Sequence, residues 1–483
     1  MLNNLLLGVA AVLALSGCGS TSSDNTTTKD TVKESQPPAQ QVTTSDDTYL
    51  NGLTDANKGS KKGKVRLHGS TGANFNNRYL ILWETEGKDV FKIDSTMVKD
   101  NSFDFGNKEY DVGFYALSIN NATNSVGVIL NPNEGDVELN IVGGRLSTGT
   151  KSVNSDENKG WYSYVPLETA HLNKVKELRK SMKDPAVKTR VTKAINVEKE
   201  KLRATQHDLI NKYPGTYLAK IMTWKQTKWQ ADKARYWDDI DFSDESIMRS
   251  PIINDRVQDY MITHSGGTDM GFYNAIDLIH AKSSANPDVN AFTLLVMLEG
   301  FYSSNKENQC AYIMDSYIYG EDCAEGDVGK LLKERANGVR SLQIGQVPPD
   351  FTLPFYDDSG TLSIHAEAKK NDYTLLFFWS SWCHKCEQET PEYKKLYNQY
   401  KSQGFQVIGI SVDASKPAWI KAVKDKGTTW PNVSQLQAWD SPVADAYRVS
   451  ATPTLFLLNK DLEIVLKPER WFQVRDHLSQ NLK

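Results

Sequence analysis

Cysteine is scarce in this chain, with five residues in 483, and only one pair of them is closely spaced. A structural zinc site takes four ligands, commonly from two such pairs, and no second Cys-x-x-Cys exists. His384, the other nearby candidate ligand, falls on the same turn as the pair and points away. An excess of charge of one sign is missing as well: 56 Lys and Arg face 60 Asp and Glu, a formal net charge of -4, so nothing favours a nucleic-acid partner. The N-terminal apolar run, Leu5 to Ala14, is too short to span a bilayer. No metal, flavin or nicotinamide site is visible. No cofactor is expected, and any redox chemistry falls to the cysteines themselves.

What is present is the run Trp379-Ser380-Ser381-Trp382-Cys383-His384-Lys385-Cys386, directly after the strand-like stretch Tyr373 to Phe378. This spacing puts two cysteines one turn apart at a helix start. Helix N-termini carry partial positive charge from unsatisfied N–H groups, which stabilises a thiolate at Cys383 and makes it the attacking sulfur. Cys386 is then the buried, resolving thiol and Cys383 the exposed nucleophile. Half of a zinc site is the other reading of a lone Cys-x-x-Cys. Downstream, Glu387 to Gln403 reads as a helix, Phe405 to Val412 as a buried strand and Pro417 to Lys426 as a second helix. Thr454 to Leu458 and Leu462 to Leu466 read as a hairpin, followed by a closing helix from about Glu469. The alternation implies a central mixed sheet. Pro453, placed just before a core strand, is read as cis because a proline there has to serve the turn.

Trp-Cys-x-x-Cys, a helix-kinking Pro391 and Thr452-Pro453 before the hairpin together resemble the thioredoxin superfamily over the last third of the chain. The opening Ile344-Gly345-Gln346-Val347-Pro348-Pro349-Asp350-Phe351 and the segment Cys386-Glu387-Gln388-Glu389-Thr390-Pro391 resemble its membrane-tethered TlpA/ResA branch. The resemblance implies an α/β fold, a cis Thr452–Pro453 peptide that with Trp382 meets the substrate chain, and a functional glutamate at Glu389. It further implies protein disulfide or dithiol substrates, cytochrome c precursors among them, and a membrane electron-transfer partner of DsbD/CcdA type. Read from position alone, Glu389 is a first-turn acid stabilised by the helix dipole. Most relatives carry proline where this chain has Lys385. His384 and Lys385 are either spacers or redox-tuning residues; a cation there favours ionised Cys383 and makes the disulfide a stronger oxidant.

Leu15-Ser16-Gly17-Cys18 resembles the bacterial lipobox, which implies a signal peptide at residues 1–17 and lipidation of Cys18. An ordinary cleaved signal is the alternative. Residues 18–60 are polar, with almost nothing to bury, and read as a disordered tether. These features place the chain in the cell envelope, lipid-anchored, with the redox domain in the periplasm.

The remainder suggests a multidomain fold. Residues 61–148 alternate and turn as an all-β sandwich or barrel, through runs such as Tyr79 to Trp83 and Ser102 to Phe105. The segment Lys92 to Phe105 resembles a β domain that precedes TlpA-like domains in Bacteroidetes lipoproteins. Residues 155–342 read as a helical module, and residues 343–483 as the α/β thioredoxin-like domain. In the module, Trp224, Trp229, Tyr236 and Trp237 are core or a groove for unfolded substrate, with core packing favoured. Cys310 and Cys323, left over once Cys18, Cys383 and Cys386 are assigned, are expected to form a structural disulfide, two free buried thiols being the alternative.

The chemistry that fits is thiol–disulfide oxidoreduction, with reduction of envelope disulfides expected. A thiol peroxidase is disfavoured because Leu376 stands where the usual Pro-x-x-x-Thr-x-x-Cys surroundings have proline. A binding lipoprotein with a vestigial redox domain is disfavoured by the intact cysteine pair.

Overall fold

The computed structural model describes residues 62–86, 89–119, 121–181, 187–226, 230–320 and 327–482. The expected signal peptide, Cys18 and tether, together with Trp229 and Cys323, lie outside the described residues. The chain divides into two compact units, Met1–His264 with Ala281–Asn290 and Ser265–His280 with Ala291–Lys483. This division cuts across the expected 155–342 helical module, whose last helices join the unit that holds the cysteine pair.

In the first unit the strands are β1 (Gly63–Thr71), β2 (Tyr79–Glu86), β3 (Asp89–Met97), β4 (Ser102–Tyr110), β5 (Gly113–Ile119), β6 (Asn121–Leu130), β7 (Asp136–Ile141) and β8 (Thr150–Ser152). They form two four-stranded sheets, ordered β4-β1-β7-β8 and β3-β2-β5-β6. Val65, Leu67, Leu82, Leu117 and Leu139 belong to one shared core, as a sandwich requires. Strands β1 and β7 run parallel, and a Cβ on Gly69 would lie 1.8 Å from the Leu139 carbonyl oxygen, so only glycine permits their approach.

Helices follow: α1 (Leu146–Gly149), α2 (Asp156–Lys180), α3 (Lys188–Lys212), α4 (Tyr217–Lys225) and α5 (Ile252–His264). Helix α2 starts where the Ser155 side chain accepts the Asn158 N–H. Trp224, Tyr236 and Trp237 are buried, and the Arg256 guanidinium packs 4.5 Å from the Tyr236 ring centroid and 5.6 Å from that of Trp237. These aromatics are core, not a groove.

Helices α6 (Asp269–Ser283) and α7 (Pro287–Ser303) span the division between the units, and α8 (Glu307–Ile313) and α9 (Asp327–Arg340) belong to the second. The thioredoxin-like part adds β9 (Thr352–Pro354), β10 (Thr361–Ser363), α10 (Ile364–Ala368), β11 (Tyr373–Trp379), α11 (His384–Tyr400), β12 (Phe405–Ser411), α12 (Lys416–Lys426), β13 (Asn432–Ser434), α13 (Pro442–Ala446), β14 (Thr454–Asn459), β15 (Ile464–Leu466) and α14 (Trp471–Asn481). Its main sheet has the order β13-β12-β11-β14-β15, with β11 parallel to β12 and antiparallel to β14.

Strand β11 is buried on both sides, which is why it reads as an unbroken apolar run. Leu376 and Phe378 enter one core, while Leu375, Phe377 and Trp379 enter another together with both cysteines. Tyr302 and Leu342 pack into the first of these cores. Glu299 pairs with Arg448 and Glu307 with Lys467, so the last helices are tied to the sheet by apolar contact and by charge.

Candidate active site

Strand β11 ends at Trp379, and the chain turns so that Cys383 becomes the N-cap of α11. Its sulfur accepts the Cys386 N–H at 3.0 Å, one of the donors a helix start leaves unsatisfied. Cys383 and Cys386 are joined in a disulfide with Cα atoms 5.2 Å apart. The Thr452 carbonyl oxygen, part of the cis Thr452–Pro453 peptide itself, lies 3.3 Å from the Cys383 sulfur. One correction follows for the nucleophile. Cys383 is 6% exposed rather than open to solvent, because the Thr452 loop closes over it. Cys386 is fully buried, so in the disulfide Cys383 is the more accessible sulfur by a small margin only.

The turn before the pair is held from a neighbouring strand. Asp413, just past β12 and 1% exposed, accepts from the Ser381 N–H at 2.9 Å, the Ser381 hydroxyl at 2.6 Å and the Ser411 hydroxyl at 2.7 Å. Three donors thus meet this buried carboxyl, which satisfies its oxygens inside the fold. Sequence reasoning passed over Asp413, and the available signal was an acid ending an otherwise apolar strand. It also passed over Trp439, whose ring lies 5.9 Å from that of the exposed Trp382 at an interplanar angle of 65°.

Glu389 is buried at 4% exposure, and both its oxygens are engaged: Oε1 accepts from Arg470 Nε at 2.6 Å and Oε2 from the Trp471 N–H at 3.0 Å. It joins α11 to the start of α14, a connection that its spacing from Cys386 does not reveal. Burial, and after it the Glu389 charge, push the phenol of neighbouring Tyr393 upward. His384 and Lys385 are both exposed. His384 Nδ1 lies 3.7 Å from Glu387, which offsets its charge whenever the ring is protonated.

Cys310 stands apart from the site. It is a free thiol, 1% exposed, and its S–H points to the Leu298 carbonyl at 3.9 Å. The expected bond to Cys323 is therefore corrected to a free, buried thiol at Cys310, Cys323 itself lying outside the described residues. Burial pushes its pKa up to about 12, with the Glu307 carboxylate adding to the shift.

A helix-capping disulfide that faces a cis-proline loop at the end of a buried central strand is the working part of a thioredoxin-fold thiol–disulfide oxidoreductase. Residues 344–467 match the family model described as the AhpC/TSA family. The chain is similar to the thiol-disulfide oxidoreductase ResA of Bacillus subtilis (strain 168), with 34% identity over 128 residues, 26% of this chain and 68% of the relative. It is equally similar to ResA of Geobacillus kaustophilus (strain HTA426), at 34% identity with the same shares. Among solved structures it resembles the C-terminal domain of a putative thiol-disulfide oxidoreductase from Bacteroides thetaiotaomicron, at 27% identity, covering 29% of this chain and 96% of that one, with a TM-score of 0.28. The chain belongs to the ResA-like thiol–disulfide oxidoreductases.

Proposed function

We propose that this enzyme is a lipid-anchored reductant of protein disulfides in the cell envelope. The observation that carries the chemistry is the pairing of Cys383 at the α11 N-terminus with the Thr452 carbonyl beside its sulfur. In the reduced enzyme the Cys383 thiolate attacks one sulfur of the client disulfide. A mixed disulfide forms and the client's other sulfur leaves as a thiolate. The Cys386 thiolate then attacks Cys383, closing the enzyme disulfide and releasing the client with two electrons more. The backbone on either side of Pro453 lies where an extended client segment meets the sulfur. Glu389, three residues beyond Cys386 on α11, is assigned the role of assisting its deprotonation, with Arg470 and the Trp471 N–H holding the carboxylate in place.

The lipobox-like Leu15 to Cys18 and the polar residues that follow support anchoring, with the redox domain on the periplasmic side. Resemblance to tethered relatives supports re-reduction by a membrane partner of DsbD/CcdA type and cytochrome c precursors among the clients. An insulin-reduction assay on the purified chain, together with its equilibrium potential against glutathione, tests the direction. A potential near about -270 mV supports a reductant, and one near about -120 mV overturns it.

A further inference from the structure

We propose that Trp439, acting with Trp382, forms a client-recognition platform that selects an aromatic or large aliphatic side chain flanking the client's cysteine. The inference rests on the oxidoreductase reading and names its substrate class more closely. Trp382 is 57% exposed immediately before Cys383, and a tryptophan so open to water beside a reactive sulfur is surface prepared for a partner. Trp439 comes from a different part of the chain and meets it edge to face, making one apolar surface out of two loops.

Both loops are fixed by hydrogen bonds, one set running from Asp413 to Ser434 and a second centred on the adjacent Gln435. Asp413 holds Ser381 on the Trp382 side and Ser411 on the other. The Ser434 hydroxyl donates to the Ser411 carbonyl at 2.8 Å and accepts the Leu436 N–H at 3.0 Å. Gln435 Oε1 accepts from the Ser441 hydroxyl at 2.6 Å and the Val443 N–H at 3.1 Å, closing the second loop around Trp439. Inside that loop Leu436 and Ala438 take left-handed backbone angles, φ 56° and 52°. Side chains of these types rarely adopt such angles, and strain of this kind persists where the surroundings impose it and clusters at ligand-contacting loops. The result is a rigid aromatic surface beside Cys383, suited to a client segment that already lies along Thr452–Pro453.

The test uses the full chain with dithiothreitol as electron source. Substrates are synthetic peptides with one internal disulfide whose cysteine is flanked by Phe, Leu or Ser, and hydroxyethyl disulfide. The wild type is expected to favour the Phe peptide over the Ser peptide in kcat/KM, through KM. In Trp439→Ala that preference falls by about tenfold, the scale of one aromatic contact, and Trp439→Phe restores most of it. A preference unchanged in Trp439→Ala, or absent from the wild type, overturns the proposal. An equal loss for every substrate, hydroxyethyl disulfide included, makes Trp439 structural and overturns it too. No turnover of any substrate by the wild type removes the oxidoreductase reading and this inference with it.

Discussion

Cys310 and Cys383 lie in the same compact unit and are both almost closed to solvent, at 1% and 6% exposure, yet their surroundings give them opposite chemistry. Cys383 caps a helix and receives an N–H from Cys386. Cys310 sits among packed helices, where burial first and the Glu307 carboxylate next push its thiol up to about 12 against the pull of Lys467. Burial by itself does not make a cysteine inert. What differs is compensation: an N–H meets the Cys383 sulfur, whereas at Cys310 desolvation dominates and the nearby charges of both signs do not offset it.

The strongest way to break this contrast is to exchange the sulfurs' fates. Cys383→Ser should abolish disulfide reduction and yield no mixed disulfide. Cys386→Ser should also stop turnover but accumulate client-linked enzyme on nonreducing gels. Cys310→Ser should leave reduction in place, and loss of turnover there would place Cys310 in the chemistry. Alkylation of the reduced chain at mildly acidic pH, followed by peptide mapping, sharpens the comparison. Cys383 should label first, Cys386 later and Cys310 last, since a thiol with a pKa of about 12 is about one part in 10⁴ ionised at pH 8. Preferential labelling of Cys386 over Cys383 would reverse the assigned roles.

The same upward shift makes a stability prediction. A thiol whose folded pKa exceeds its unfolded value stabilises the fold fully below the unfolded pKa. That contribution is lost as pH rises from about 9 toward about 12, where the unfolded chain has released the proton and the folded one has not. Relative to Cys310→Ala, the wild type should lose up to about 1.4 kcal/mol per pH unit in that window. Urea unfolding at several pH values reads it, and parallel curves for the two proteins would refute it.

A smaller effect is expected at Glu389, the buried acid of the reactive side. Glu389→Gln keeps an acceptor for the Trp471 N–H but loses the charge facing Arg470, which is half exposed. A cost of about 1–2 kcal/mol is expected from a hydrogen bond to a charged group in partly wet surroundings. Mixed disulfides trapped in single turnover should also persist longer. Unaltered resolution with lowered stability would confine Glu389 to joining α11 and α14.

Much of the fold around the sulfurs is written in local sequence. The buried run of β11, the break at Thr452-Pro453 and the hairpin of β14 and β15 each follow from patterns a few residues long, and the structure has all three. The tryptophan series proved to be core where it is described, since nothing local distinguishes a buried aromatic from a groove. Asp413, Trp439 and Arg470 stayed hidden for another reason. Each reaches the site from 30 residues or more beyond the turn or helix it supports, and no spacing rule connects them. Cys310 misled because an even count of cysteines says nothing about direction, and its side chain points into the helices.

The sequence by itself determined the reactive pair, its place at a helix start and the proline turn before β14, because backbone N–H convergence and proline geometry are local properties. That this turn opposes the pair is implied by the family resemblance and not by any local pattern. Tertiary structure alone decided how far Cys383 is covered, which partners occupy Glu389, which loop stands beside Trp382 and that Cys310 remains a free thiol. These depend on atoms brought together across the sheet, where desolvation and charge are set by neighbours distant in the chain.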